Sequence, residues 1–272
     1  LSTGLKSVSD YLCKTKQIDL RYFARIQYHG KQYAGWQKQP NANSVQAEIE
    51  NALSTIFREK IGVMGCGRTD AGVHARKFYF HFETSYSKPE NQVSRINGFL
   101  PKDISLDRIQ HVGEEAHARF DANYRAYAYH INFKKNPFAI DTSWHVPLAG
   151  VDIDFNKLNK VAELIKASNE FFPFCKTNHD AHTLECSIYE SYWQRVGDTG
   201  LVYHIAANRF LRGMVRLIVG CSIRAATNKI PIREVADALN HQTRIANAYS
   251  APAQGLFLTE VRYPLSVDLP LT

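Results

Sequence analysis

Hydrophobic and polar positions alternate with a period of two in several stretches of this chain and recur at helical spacing in others. Leu20–Tyr28 (LRYFARIQY), Arg76–Glu83 (RKFYFHFE), Ile104–Val112, Asn123–Phe133 (NYRAYAYHINF), Ser187–Val196, Leu201–Ala207 and Gly255–Tyr263 (GLFLTEVRY) read as strands. Ile61–Cys66 reads as a shorter one. Val45, Ile49, Ala52, Leu53 and Ile56 lie on one face of a helix, as do Phe155, Leu158, Val161, Ala162 and Ile165. Ser44 is an N-cap for the first of these, and Glu48 falls one residue too late for a full capping box. Further helices are predicted over Glu90–Leu100, closed by Pro101, over Leu211–Ala226, and over Ile232–Asn240 after Pro231. Gly30, Gly35 and Pro40 mark His29–Asn43 as loop, and Gly197–Gly200 as a hairpin turn. Leu1–Asp19 shows no period and reads as a tail or an early helix.

Strands outnumber helices, and the second half repeats the grammar of the first. This argues for an α+β fold with a mostly antiparallel sheet rather than a doubly wound parallel one. The halves meet near Ala116–Ala122 without an obvious linker, so a sheet continuous across the boundary is expected. The expected division is a tail over 1–18, an N-terminal half over 19–115 that carries the chemistry-bearing loop, and a C-terminal half over 116–272.

Composition narrows the function classes. With 272 residues and 44% apolar content, wholesale disorder is excluded, and roughly 75% of the unfolded surface can be buried. No stretch approaches the ~20 apolar residues of a membrane span. Leu1–Gln17 lacks the basic-then-apolar order of a signal peptide, and the start at Leu rather than Met suggests a missing piece. The five cysteines are odd in number and include no CxxC, which argues against a secreted disulfide framework and for a reducing cytoplasm. The net charge of +7 points to a polyanionic partner.

The densest chemical signal is Gly65–Ala75 (GCGRTDAGVHA). Here Asp70 sits among Gly65, Gly67, Gly72, Arg68 and Thr69, between two apolar strands. Glycine permits positive φ and close approach of a ligand to the backbone. An ionised carboxylate on such a loop, charge-paired with an arginine, serves as nucleophile or base. The same string also reads as a turn in which Asp70 caps its own backbone. A phosphate cradle fits poorly, because the glycines do not make GxGxxG and no Lys-Ser/Thr follows.

At this loop the chain resembles the TruA family of tRNA pseudouridine synthases, whose signature is GRTDAGVHA, here Gly67–Ala75. The resemblance runs from about Asp19 to Pro264. It includes Gly35-Trp36-Gln37, Ser44-Val45-Gln46 and Asn97–Ile104 (NGFLPKDI). Farther on, it includes His117–Phe120 (HARF), Arg125–Tyr129 (RAYAY), Phe210–Gly220 (FLRGMVRLIVG) and Ala251–Leu256 (APAQGL). Departures occur at Ala126 and Ala128, and at Glu170–Phe174 (EFFPF), where the family usually has DF..F.

The resemblance implies two ferredoxin-like halves forming one sheet, with helices on one face and a central basic cleft. It implies a homodimer that isomerises uridine in the anticodon arm of tRNA, at positions 38, 39 and 40. The reaction needs no cofactor and no metal, since nothing is oxidised and no group leaves. Asp70 would be the catalytic carboxylate, Arg216 its basic partner and Tyr127 the active-site tyrosine. Leu256 would form an apolar wall under the base, and Arg68 would hold the flipped nucleotide or its phosphate.

Read from the residues alone, Arg216 could equally snorkel from its apolar helix, Tyr127 could be one more strand aromatic, and Leu256 could be ordinary core. Lys31, Lys38, Arg76, Arg119, Arg125, Arg209 and Arg212 are candidates to track an RNA backbone. Cys175, His179, His182 and Cys186 have zinc-ligand types at C-x3-H-x2-H-x3-C spacing, but no step of the reaction calls for a metal. Two other classes remain: an RNA-binding module without catalysis, and a hydrolase with paired carboxylates, for which the loop offers no second carboxylate.

Overall fold

The computed structural model describes residues 19–147, 152–176 and 183–267. The predicted tail lies outside these residues, as do His179 and His182. The first half runs β1 (Leu20–Tyr28), α1 (Val45–Phe57), β2 (Met64–Gly65), β3 (His74–Thr84), α2 (Val93–Phe99) and β4 (Ile104–His111). The rest follows as β5 (Tyr124–Asn132), β6 (Trp144–His145), α3 (Phe155–Ala167), β7 (Ile188–Val196), β8 (Gly200–Ala207), α4 (Met214–Ala226), α5 (Ile232–His241) and β9 (Leu256–Arg262). The described strands form one sheet of order β4-β1-β3-β9-β5-β8-β7, with β2 on β3 and β6 on β5. Pairing is antiparallel except at β3–β9 and β5–β6. The fold is thus α+β on a mostly antiparallel sheet.

Two apolar cores flank the middle of the sheet. One joins β1, β3 and β4 to α1 through Phe23, Phe78, Phe80, Leu106, Ile49 and Leu53. The other joins β5 and β8 to α3, α4 and α5. Leu158, Val161 and Ile165 of α3 are fully buried there, each worth about 1.5–3 kcal/mol of apolar transfer. Strand β9 serves both cores, with Leu256 in the second and Leu258 and Val261 in the first. Tyr127 packs against both.

Differences from the sequence pattern have local causes. Of the predicted 61–66 strand, Met64–Gly65 pair with β3 and the Cys66 N–H donates to the Tyr79 carbonyl there at 2.7 Å, while 61–63 do not join. The Ile61 N–H donates instead to the Ser54 hydroxyl (3.0 Å) and the Val63 N–H to the Glu50 carboxylate (3.3 Å), both on α1. The last long apolar helix begins at Met214 rather than Leu211, because Gly213 takes φ +73 and turns the chain into α4. Helix α1 starts where the sequence puts it, with the Ser44 hydroxyl accepting from the Ala47 N–H at 3.3 Å.

Candidate active site

The signature loop leads into the amino end of β3, where β3 meets β9 in parallel at His74↔Phe257 and Ala75↔Leu258. It is packed from below by the predicted 29–43 loop. The Trp36 N–H donates to the Thr69 carbonyl (3.3 Å), and the Gly72 N–H to the Tyr33 carbonyl (3.3 Å). Gly35 has φ +101, and a Cβ there would lie 2.4 Å from the Thr69 carbonyl oxygen. Only glycine therefore lets the two loops approach this closely. The buried Thr69 hydroxyl bonds the Tyr28 hydroxyl at 2.9 Å. These contacts fix the backbone on both sides of Asp70.

The Asp70 side chain is 23% exposed and lies beside two cations. Arg216 Nη1 donates to Asp70 Oδ2 at 3.0 Å. Lys176 Nζ stands 3.9 Å from the same oxygen. Among the described residues nothing is bonded to Oδ1. Arg216 is held in turn by its Nε, which donates to the Ala251 carbonyl at 2.7 Å, while the Ala251 N–H donates back to the Arg216 carbonyl at 3.0 Å. The guanidinium thus runs from a core helix to the loop carboxylate instead of to open solvent.

The segment Ala251–Gly255 holds three parts of the site together. It receives Arg216 at Ala251, the Tyr129 hydroxyl at the Pro252 carbonyl (2.7 Å) and the His74 ring at the Gln254 carbonyl (3.1 Å). His74 is buried, and its Nδ1 accepts from the Gly30 N–H at 3.0 Å, so Nε2 carries the proton that it donates to Gln254. Burial, with His29 adding, lowers the His74 pKa to about 4. Between pH 6.5 and about 4 the unfolded chain binds a proton that the folded ring does not. The stabilisation from the neutral ring is therefore complete above pH 6.5 and is lost as pH falls toward 4. Denaturant unfolding from neutral to acid pH should show a decline of up to about 3 kcal/mol from this residue. His74→Gln should remove this share of the slope and leave the shares of His81 and His130, which burial also lowers to about 4; an unchanged pH slope in that variant would exclude His74 as a source.

The other predicted residues surround the carboxylate unequally. Tyr127 is half-buried at the seam, its ring edge-on to Phe210 with centroids 5.2 Å apart. Burial raises its pKa, with Cys66 and Asp70 adding and Arg125 opposing, so the side chain is a neutral phenol. Leu256 is buried in the second core at the start of β9, paired across the ladder with Tyr129. Arg68 is exposed and belongs to a cationic group with Arg119, Arg125 and Arg209. Burial lowers the Arg119 pKa first, and its three arginine neighbours lower it further. Like charges crowded in this way favour a polyanion.

Two residues have parts that their sequence context did not reveal. Arg125 does not extend toward an RNA backbone. Its guanidinium donates to the main-chain carbonyls of Ala122 (2.8 Å), Asn208 (2.7 Å), Cys66 (2.9 Å) and Arg119 (2.8 Å). It ties the residue just before the signature loop to Arg119, Ala122 and Asn208. Lys176, beside Asp70, lies in the stretch whose spacing suggested zinc. Cys175 and Cys186 are buried free thiols, with the Cys186 pKa raised to about 11 by burial. Lys31 and Lys38 pair with Asp141 and Glu50.

Comparison with known proteins follows the same lines. A family model described as tRNA pseudouridine synthase matches residues 24–121 and 168–264. The tRNA pseudouridine synthase A of Porphyromonas gingivalis is 40% identical over 253 residues, covering 92% of this chain and 99% of the relative. The proteins of the same name from Azobacteroides pseudotrichonymphae and Bacteroides fragilis are each 37% identical, covering 90% and 91% of this chain and 97% and 98% of their own. Matched by the family model over both segments and by relatives 37–40% identical across nine-tenths of its length, the chain belongs to the tRNA pseudouridine synthase family.

Proposed function

We propose that this protein converts uridine to pseudouridine in the anticodon arm of tRNA, at positions 38, 39 and 40, with Asp70 as the reacting carboxylate. The observation that carries this reading is the Asp70–Arg216 pair, set at 3.0 Å on a loop over the seam between the two cores. In the reaction the C1′–N1 bond breaks and a C1′–C5 bond forms. The C5 proton departs and N1 ends protonated, so atoms and charge balance without a co-reactant. Both cations meet Oδ2, which leaves Oδ1 as the oxygen for the ribose or the uracil ring. Arg216 orients the carboxylate.

Tyr127 offers a ring for stacking on the displaced uracil, worth roughly 1–3 kcal/mol, and a phenol that can pass the C5 proton. Leu256 supplies the apolar wall behind it. Arg68, with Arg119 and Arg209, would hold the flipped nucleotide by its phosphates, since the base must leave the stack before it can react. The same reading takes the working enzyme as a cytoplasmic homodimer needing no cofactor. Among the described residues no helix is long and apolar enough to cross a membrane, which is compatible with that setting. Incubation with unmodified tRNA transcripts, followed by mass-spectrometric mapping, should place pseudouridine at positions 38 to 40. Transcripts left wholly uridine would refute the proposal.

A further inference from the structure

We infer that the cavity beside Asp70, lined by Lys176, Arg212 and Arg244, takes one backbone phosphate of the RNA, and that Lys176 is the cation shared by that phosphate and the carboxylate. This rests on the pseudouridine synthase reading and deepens it. The cavity measures about 360 Å³, and its other walls come from Pro173, Cys175, Leu217 and Ala248. Three cations line it and, among the described residues, no carboxylate does. Positive charges gathered around a cavity repel one another until an anion enters.

The cations are built into the fold. The Lys176 stem lies against Gly213, where a Cβ would come within 2.7 Å of Lys176 Cε. Gly213 also has φ +73, so the position is reserved for glycine and the lysine stem occupies the space a side chain would fill. Arg244 donates from Nη1 to the Cys175 carbonyl at 3.1 Å, and its guanidinium lies over the Phe172 ring at 4.8 Å. Arg212 is exposed and has no ion-pair partner among the described residues. The amino end of α4, which has no side-chain cap and no acidic residue in its first turn, adds positive potential at the same place.

Lys176 Nζ is 3.9 Å from Asp70 Oδ2, beyond hydrogen-bond reach, so its protons remain available to a phosphate oxygen. A phosphodiester suits this lining because it carries one negative charge and its free oxygens only accept. A nucleotide swung out of its stack is held by the phosphates on either side, which places one of them next to the reacting carboxylate.

The test uses Lys176→Gln, Arg212→Gln and Lys176→Arg with an unmodified tRNA transcript, and wild-type protein alongside. At about 0.15 M salt each Gln variant should bind about three- to tenfold more weakly, with the salt slope reduced by roughly 0.7–0.9 for the lost contact. Arg212→Gln should raise KM and spare kcat, and Lys176→Arg should restore binding. An anticodon stem-loop carrying one neutral methylphosphonate, moved along the phosphates flanking the target, should show one position where wild type loses affinity and the Gln variants lose no more. Wild-type affinity and slope in folded Gln variants, or no such position, would overturn the subsite while wild-type turnover keeps the function standing. Absence of pseudouridine with wild type would instead overturn the function, and the subsite with it.

Discussion

Asp70→Asn is expected to leave a folded, RNA-binding protein that forms no pseudouridine. The amide keeps the shape of the carboxylate and can still accept from Arg216 Nη1 and face Lys176, so the packing of the loop is preserved. What disappears is the negative oxygen on which the proposed rearrangement depends. Removing a nucleophile or base that nothing else replaces should lower turnover by at least about a thousandfold. Binding of tRNA should hold or tighten, because a negative charge is lost from a cationic surface. Single-turnover assays with labelled transcripts, beside a binding isotherm, separate the two effects. Turnover within about tenfold of wild type would remove Asp70 from the chemistry.

Arg216→Ala should damage both stability and rate. It deletes the 3.0 Å bond to Asp70 and the 2.7 Å bond to the Ala251 carbonyl, and opens a gap at the start of α4. Breaking a fully buried pair costs about 3–5 kcal/mol, and the residual exposure of this pair brings the expected loss to about 1–3 kcal/mol. Turnover should fall about a hundredfold or more as the carboxylate loses its fixed orientation. Arg216→Lys should recover part of the stability and little of the rate, since a single ammonium cannot serve both the carboxylate and the carbonyl in the planar arrangement. Calorimetry and single-turnover rates on the same preparations decide the matter. A variant with unchanged melting temperature and rate would show that the pair contributes to neither.

The strands and the amphipathic helices were legible because their periods are local properties of the chain. Asp70 stood out for a related reason: glycines, an arginine and an aspartate compressed between apolar strands have few structural uses. Arg216 was visible as a charge inside the apolar run Met214–Val219. The resemblance added their pairing, which no spacing rule reaches across 146 positions.

What escaped was decided by contacts distant in sequence. Arg125 looked like another surface cation on a strand, and only the folded chain shows four carbonyls converging on it. Lys176 was hidden beside Cys175 and Cys186, whose spacing pointed to metal chemistry. Among the described residues no His, Cys, Asp and Glu side chains group as metal ligands would; His179 and His182 lie outside them. The strand forecast at 61–66 shrank because helix side chains took its backbone donors, a competition that alternation cannot display.

The strand that lies between β3 and β5 is β9, the last of the described strands. A growing polypeptide can complete β1, β3 and β4 early, and later β5, β7 and β8, yet among the described strands nothing joins the two sets until residues 256–262 emerge from the ribosome. Until then β3 at His74 and Ala75 and β5 over 124–129 lack their β9 partner, and Ala251, Pro252 and Gln254 are not yet there to receive Arg216, Tyr129 and His74. Assembly of the proposed reactive centre is thereby deferred until residues 251–262 have been synthesised. A prematurely terminated product would carry Asp70 without the segment that seats its arginine.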